Sequence, residues 1–148
     1  MNAIQILRED HTRVQDLFRE FEMLSAGHSK KKKTISEKVF SELEVHTTLE
    51  EEVFYPAFKE EADADGQLLI DGSLEDHQSV SALIEELRAM DTNNDEYDAR
   101  FEELIEIVET HIEEEEDILF PDAEDILGGS LERLGREMEE RREVVSLH

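Results

Sequence analysis

Four segments of this chain carry apolar stripes at alternating three- and four-residue spacing, and each stripe admits a histidine where a Leu or Val belongs. The first runs Ile4, Leu7, His11, Val14, Phe18, Phe21, and the second Val39, Leu43, His46, Glu50, Val53, Ala57. The third is His77, Val80, Ile84, Leu87, and the fourth Tyr97, Phe101, Leu104, Val108, His111, Glu115, Ile118. Stripes of this period face inward in helix bundles. With mostly short connections, they predict an all-α, up-down-up-down four-helix bundle. A short fifth helix is expected from Leu131 to Val144, after Gly128-Gly129.

Local signals set the expected boundaries. Asn2 with Gln5 reads as a capping box, and Gly27 as the stop of the first helix. The run Ser29-Lys30-Lys31-Lys32-Lys33 reads as a basic connector whose cations complement the preceding helix C-terminus. Thr34 with Glu37 suggests a second capping box, opening a helix to about Glu60 that Pro56 kinks or ends. Ala62 to Gly72, rich in Asp, Ala and Gly, reads as a loop before a helix capped by Ser73 and ending near Met90. Asp91 to Asp95 is the next turn, and the fourth helix runs to about Phe120, before Pro121. Residues 1–121 are expected to form the bundle, with 122–148 a helical extension packed on or near it.

Composition narrows the function. A chain of 148 residues suits one core. Its 41 acidic against 15 basic residues give a net charge of −26, which repels phosphate backbones and anionic lipid. Neither nucleic acid nor a membrane is an expected partner. The absence of cysteine excludes disulfides, thiolate zinc sites and cysteine-ligated clusters. No apolar run reaches the ~20 residues needed to cross a bilayer. The N-terminus does not read as a signal peptide, so a soluble, cytoplasmic protein is expected.

The chain also repeats itself. Glu9-Asp10-His11 with Val14 recurs as Glu75-Asp76-His77 with Val80. The stretch from His46 to Pro56, with Glu50 four residues on, recurs from His111 to Pro121, with Glu115 in the matching place. Each half is a helical hairpin with a histidine on one arm and His-x-x-x-Glu on the other. Residues i and i+4 lie one above the other on a helix, so each pair forms a two-pronged ligand.

Four imidazoles and two carboxylates in an apolar interior need partners, because an unpaired buried charge is very costly. Two metal ions bridged by the carboxylates meet that need, with ligands His11, His46, Glu50, His77, His111 and Glu115. Nitrogen and oxygen donors without sulfur fit iron best, with manganese, zinc or cobalt as substitutes. Six ligands for two ions leave positions open for a small gaseous or peroxidic ligand. Glu51 and Glu116 read as a solvated face, with supporting acceptors or alternative metal ligands the other reading. Asp10 and Asp76 are expected to favour the positive ends of their helices. Tyr55, nine residues past His46, is expected to face the opposite way. His28 and His148 are not expected to bind anything. Without metal, Glu50 and Glu115 are expected to face each other and to favour protonation.

From Met1 to Pro121 these residues resemble the hemerythrin-like HHE cation-binding domain family, the paired endings Tyr55-Pro56 and Phe120-Pro121 included. The resemblance implies a four-helix bundle with a non-haem di-iron centre on the same six positions. Oxygen-carrying hemerythrins look like five-histidine sites, whereas here Ser81 stands four residues after His77, and Glu116 takes the place of their aspartate. That departure argues against simple oxygen transport. Family relatives suggest sensing of oxygen or nitric oxide, iron handling, or peroxide breakdown. The leading expectation is a di-iron protein that binds or reacts with O2, NO or peroxide, any enzymatic activity being peroxide-decomposing or other redox chemistry. The alternative is a non-enzymatic sensor whose metal site controls the fifth helix and a protein partner.

Overall fold

The computed structural model describes residues 1–24 and 27–146, so Ser25, Ala26, Leu147 and His148 lie outside the described residues. The chain is all-helical there, and forms the expected four-helix bundle with a fifth helix. Helix α1 spans Ala3–Glu22, α2 Ser29–Leu49, α3 Tyr55–Glu61, α4 Ala64–Arg88, α5 Tyr97–Glu114, α6 Phe120–Leu127 and α7 Ser130–Ser146. Single π turns, Glu50–Phe54 and Glu115–Leu119, join α2 to α3 and α5 to α6. Two of the four long arms are thus composite.

The capping box at Asn2 and Gln5 is present, with both reciprocal bonds at 2.9 Å. Other boundaries differ from expectation. Helix α1 ends at Glu22, short of Gly27. The lysine run is not a connector: it forms the first turns of α2, where Thr34 donates to the Lys30 carbonyl rather than capping. Lys32 is buried there, its ammonium 2.9 Å from both Asp98 carboxylate oxygens and 6.0 Å from the Phe21 ring centre. That ion pair, with the stem laid on apolar surface, offsets the poor match of cations to a helix N-terminus.

Nor is Ala62 to Gly72 a loop. Asp63 caps α4 by accepting from the Gly66 backbone N–H, and Ile70 is buried in the core. Tertiary burial outweighs the Asp/Ala/Gly composition. The expected cap Ser73 sits mid-helix, and His77 lies near the middle of α4 rather than near its start.

The π turns account for the largest difference in packing. A straight α-ladder after Glu50 and Glu115 turns Val53, Ala57 and Ile118 inward. In the structure Phe54, Phe58 and Leu119 are buried instead, and Ile118 is 47 % exposed. One i→i+5 bond, from the Tyr55 N–H to the Glu50 carbonyl, widens the turn, and the Phe120 N–H to Glu115 carbonyl bond repeats it. The inward face moves on by one residue. Each proline then falls at the start of the next helix, where its missing N–H costs little.

Two apolar clusters result. One gathers Leu7, Leu49, Phe54, Phe58, Ile70, Leu119 and Phe120, together with Leu131, Leu134 and Met138 of α7. The other gathers Val14, Phe18, Val39, Phe40, Val80, Leu104 and Val108. His11 falls between Leu7 of the first and Val14 of the second. The polar layer therefore divides the core in two and is not at its end. Helix α7 packs on α1 and α2, and passes the chain start so closely that a Cβ on Gly135 would lie 2.3 Å from the Met1 carbonyl oxygen.

Candidate metal centre

Each histidine of the layer is held at one ring nitrogen by a carboxylate from a neighbouring helix. Nδ1 of His11 is 2.7 Å from Glu116, and Nδ1 of His77 is 2.6 Å from Glu51. Nδ1 of His46 is 2.9 Å from Asp10, and Nδ1 of His111 is 3.0 Å from Asp76. The pairs obey the repeat. Glu51 and Glu116 reach across to the other half, whereas Asp10 and Asp76 act within their own. An ionised carboxylate only accepts, so each ring must donate there through Nδ1–H.

The other nitrogen of every ring then points inward, again at a carboxylate. Nε2 of His77 is 3.0 Å from Glu50 and Nε2 of His46 is 3.3 Å from the same oxygen. Nε2 of His11 is 3.1 Å and Nε2 of His111 3.4 Å from Glu115. A lone pair facing a carboxylate oxygen is repulsive, so something positive must stand between them. Only a proton or a metal ion can. All six groups are buried, Glu50 at 0 % and Glu115 at 1 % exposure. Two sets of potential ligand atoms lie within 4.8 Å of one another: His11, His46, Glu50 and Glu115 in the first, Glu50, His77 and His111 in the second. Glu50 belongs to both.

Protonation without metal follows from this arrangement. Burial pushes the His46 imidazole down, but Glu50 and Asp10 outweigh it and hold it up at about 10. Burial likewise opposes the charge on His111, and Glu115 with Glu50 carries it up to about 12. His77 is raised as well, Glu50 and Glu51 overcoming its burial. Glu50 is not pushed towards protonation as expected: burial raises it, yet the His46 charge, with support from His111, holds it well below the usual carboxylate range. The imidazolium charges neutralise the carboxylate that the sequence leaves facing another acid. Even so, Nε2 of His46 and Oε2 of Glu50 make no hydrogen bond among the described residues. Buried polar atoms left without partners are uncommon and point to a missing ligand.

Tyr55 is in this centre, against expectation. Its hydroxyl donates to Glu115 at 2.7 Å and stands 3.4 Å from Nε2 of both His77 and His111. The π turn rotates it there. Burial first, then Glu50 and Glu115, raise the phenol well above its ordinary value, so it keeps its proton. Phe120 takes the corresponding place in the other half, stacked 5.7 Å from His11. Large apolar or aromatic pairs four and five residues after a buried Glu in both repeats, Phe54-Tyr55 and Leu119-Phe120, were the signal, since a straight helix does not turn both of them inward. Asp10 and Asp76 also act differently from expectation, as ring acceptors rather than helix-end charges. Glu51 and Glu116 take the supporting role given as the alternative. His28 is exposed ahead of α2. Beside the four rings lies a cavity of about 30 Å³, also lined by Val14, Leu43, Val80, Val108 and Ile112.

Fold and donor set together define a helix bundle with a buried cluster of histidine and glutamate whose atoms are close enough to hold a cation. The chain belongs to the hemerythrin HHE cation-binding domain family, whose pattern matches residues 2–123. It is similar to a DNA nickase of Nostoc sp. (strain PCC 7120), with 29% identity over 121 residues. That match covers 81% of this chain, which spans only 33% of the nickase. The fold resembles the crystal structure of a hemerythrin HHE cation-binding domain-containing protein from Mycobacterium kansasii. The TM-score is 0.84 at 23% identity, covering 98% of this chain and 87% of that one. Among the described residues no helix is long and apolar enough to cross a membrane.

Proposed function

We propose that this chain holds two metal ions, iron by preference, through His11, His46, Glu50, His77, His111 and Glu115, and binds or reacts with a small ligand such as O2, NO or peroxide. The observation that carries this reading is the orientation of four imidazoles, each fixed at Nδ1 by a carboxylate and each aiming Nε2 at Glu50 or Glu115. Such outer carboxylates set the tautomer and raise ligand basicity in metal sites. Metal would displace the protons that otherwise hold the layer together, and it would relieve the unpartnered atoms of His46 and Glu50.

Bound iron would supply redox chemistry at open coordination positions. The chain's own residues define what reaches them. The 30 Å³ cavity has room for a water-sized or diatomic occupant but not an organic substrate. Beyond the rings its walls are mostly Val, Leu and Ile, with Asp10, Glu42 and Thr47 beside them. Tyr55 keeps a phenolic proton in hydrogen-bonding range of Glu115, available to an oxygen atom placed near it.

A test is to load the protein with iron, add hydrogen peroxide and follow oxygen release. Turnover well above that of free iron supports the reactive reading. No turnover, with no optical change on adding O2 or NO, rejects it. The second reading, a sensor acting through α7, is favoured by the ion pair of Arg142 to Asp10, which ties that helix to the His46 ring. Hydrogen exchange in α7 that is unchanged by metal would reject it. We propose a cytoplasmic setting. No DNA-cleaving role is carried over from the longer Nostoc protein, because a net charge of −26 repels a phosphate backbone.

A further inference from the structure

The two halves of the repeat present matching ligands with unequal support. In the first half, Asp10 accepts from His46 and is itself clamped by Arg142, whose Nη2 donates to Oδ1 at 2.8 Å and Oδ2 at 2.9 Å. Arg13, one turn along α1, also pairs with Asp10. Arg8 stands 3.6 Å from Glu116, the carboxylate that holds His11. In the second half, Asp76 and Glu51 hold His111 and His77, and no Arg or Lys among the described residues pairs with either. Exposure follows the same division: the Asp10 side chain is 2 % exposed and Asp76 37 %, while Glu116 is 31 % exposed and Glu51 41 %.

The decisive arginine comes from outside the repeat. Helix α7 has no counterpart in either hairpin, and its Arg141 and Arg142 pair with Glu52 of the first π turn and with Asp10 of α1. A carboxylate bound on both oxygens by one guanidinium loses its freedom to turn. The imidazole that donates to it is then fixed too. An Asp76 side chain open to water is free to exchange its partner, and the His111 ring with it. Metal ions leave by losing ligands one at a time, so a ring that cannot swing away retains its ion longer.

We propose that Arg142 is a positioning residue that makes the His11–His46 half the tightly held metal position, leaving the His77–His111 half as the labile one whose ion exchanges first. This rests on the two-metal reading above. It gives α7 a role that neither repeat explains, and it allows two different metals to share one site in a fixed order.

The test uses the whole chain saturated with Co(II), challenged with excess EDTA and followed by visible absorbance and metal analysis. Wild type should release its two ions in separate phases of equal amplitude, the slower by at least about tenfold, the scale expected for outer-sphere support. In Arg142→Ala the slow phase should approach the fast one, while Arg142→Lys should retain an intermediate rate. Arg142→Gln, which keeps part of the aliphatic stem and a polar tip but no charge, should behave as the Ala variant and guards against loss of fold. Release of both ions in one phase from wild type overturns the inference alone, as does an unchanged slow phase in the Ala and Gln variants. Saturation of wild type below two ions per chain overturns the two-metal reading, and the inference with it.

Discussion

The Tyr55 hydroxyl donates to Glu115 at 2.7 Å, joining residues that stand sixty positions apart and in opposite halves of the repeat. The same ring stacks on His77 with centroids 5.4 Å apart, so its body packs while its tip serves the centre. Tyr55→Phe keeps the ring and removes the donor. Leaving a buried carboxylate oxygen short of one bond should cost about 1–3 kcal/mol. The melting temperature of the metal-free protein should fall by several degrees, and the optical spectrum of the metal-loaded protein should shift. A variant indistinguishable from wild type in both would remove Tyr55 from the centre.

The π turns make a sharp demand on the core. Leu119→Ala removes a buried side chain and should cost about 2–5 kcal/mol. Ile118→Ala, at a 47 % exposed position, should stay within about 0.5 kcal/mol. A straight helix through Glu115 requires the opposite order. Urea unfolding of both variants decides between the two registers.

Glu51 is 41 % exposed, yet it holds Nδ1 of His77 at 2.6 Å. Glu51→Ala should leave helix content and melting of the metal-free protein nearly unchanged, but weaken metal binding by about 10–100-fold. Competition titration against a chromophoric chelator measures it. Unchanged affinity would mean that the ring needs no outer acceptor.

The pH dependence has a definite sign. His46 at about 10 and His111 at about 12 stand above the ~6.5 of an unfolded histidine. Raised histidines stabilise the fold fully below ~6.5; the contribution shrinks as pH rises and is gone above the folded values. Metal-free protein should therefore melt progressively lower from about pH 7 to 10, while metal-loaded protein, whose rings have already given up those protons, should not. Metal uptake at neutral pH should also release protons into a weakly buffered solution. A flat melting profile for the metal-free protein, with no proton release, would contradict this.

Much of this was legible in the sequence because helical period and ligand chemistry coincide. His11, His46, His77 and His111 interrupt apolar stripes, and only an inward layer reconciles such residues with such positions. Helix α4 was less legible: its first turns read as loop because Ala, Asp and Gly carry weak local signals, and burial of Ile70 is a tertiary effect. The π turns were hidden because periodicity assumes a constant angle per residue, and one wider turn after Glu50 exchanges Val53 for Phe54 and brings in Tyr55. Arg142 was invisible for another reason. It lies far along the chain from Asp10, and nothing in the local pattern of α7 indicates which carboxylate it meets.

The most direct measurement is a crystal structure of the metal-loaded protein with anomalous scattering recorded at the metal edge. Two peaks are expected inside the bundle, one against Nε2 of His11 and His46, the other against Nε2 of His77 and His111, with Glu50 and Glu115 between them. A single ion, or peaks confined to the acidic surface while the four imidazoles keep only their carboxylate contacts, would contradict the central claim.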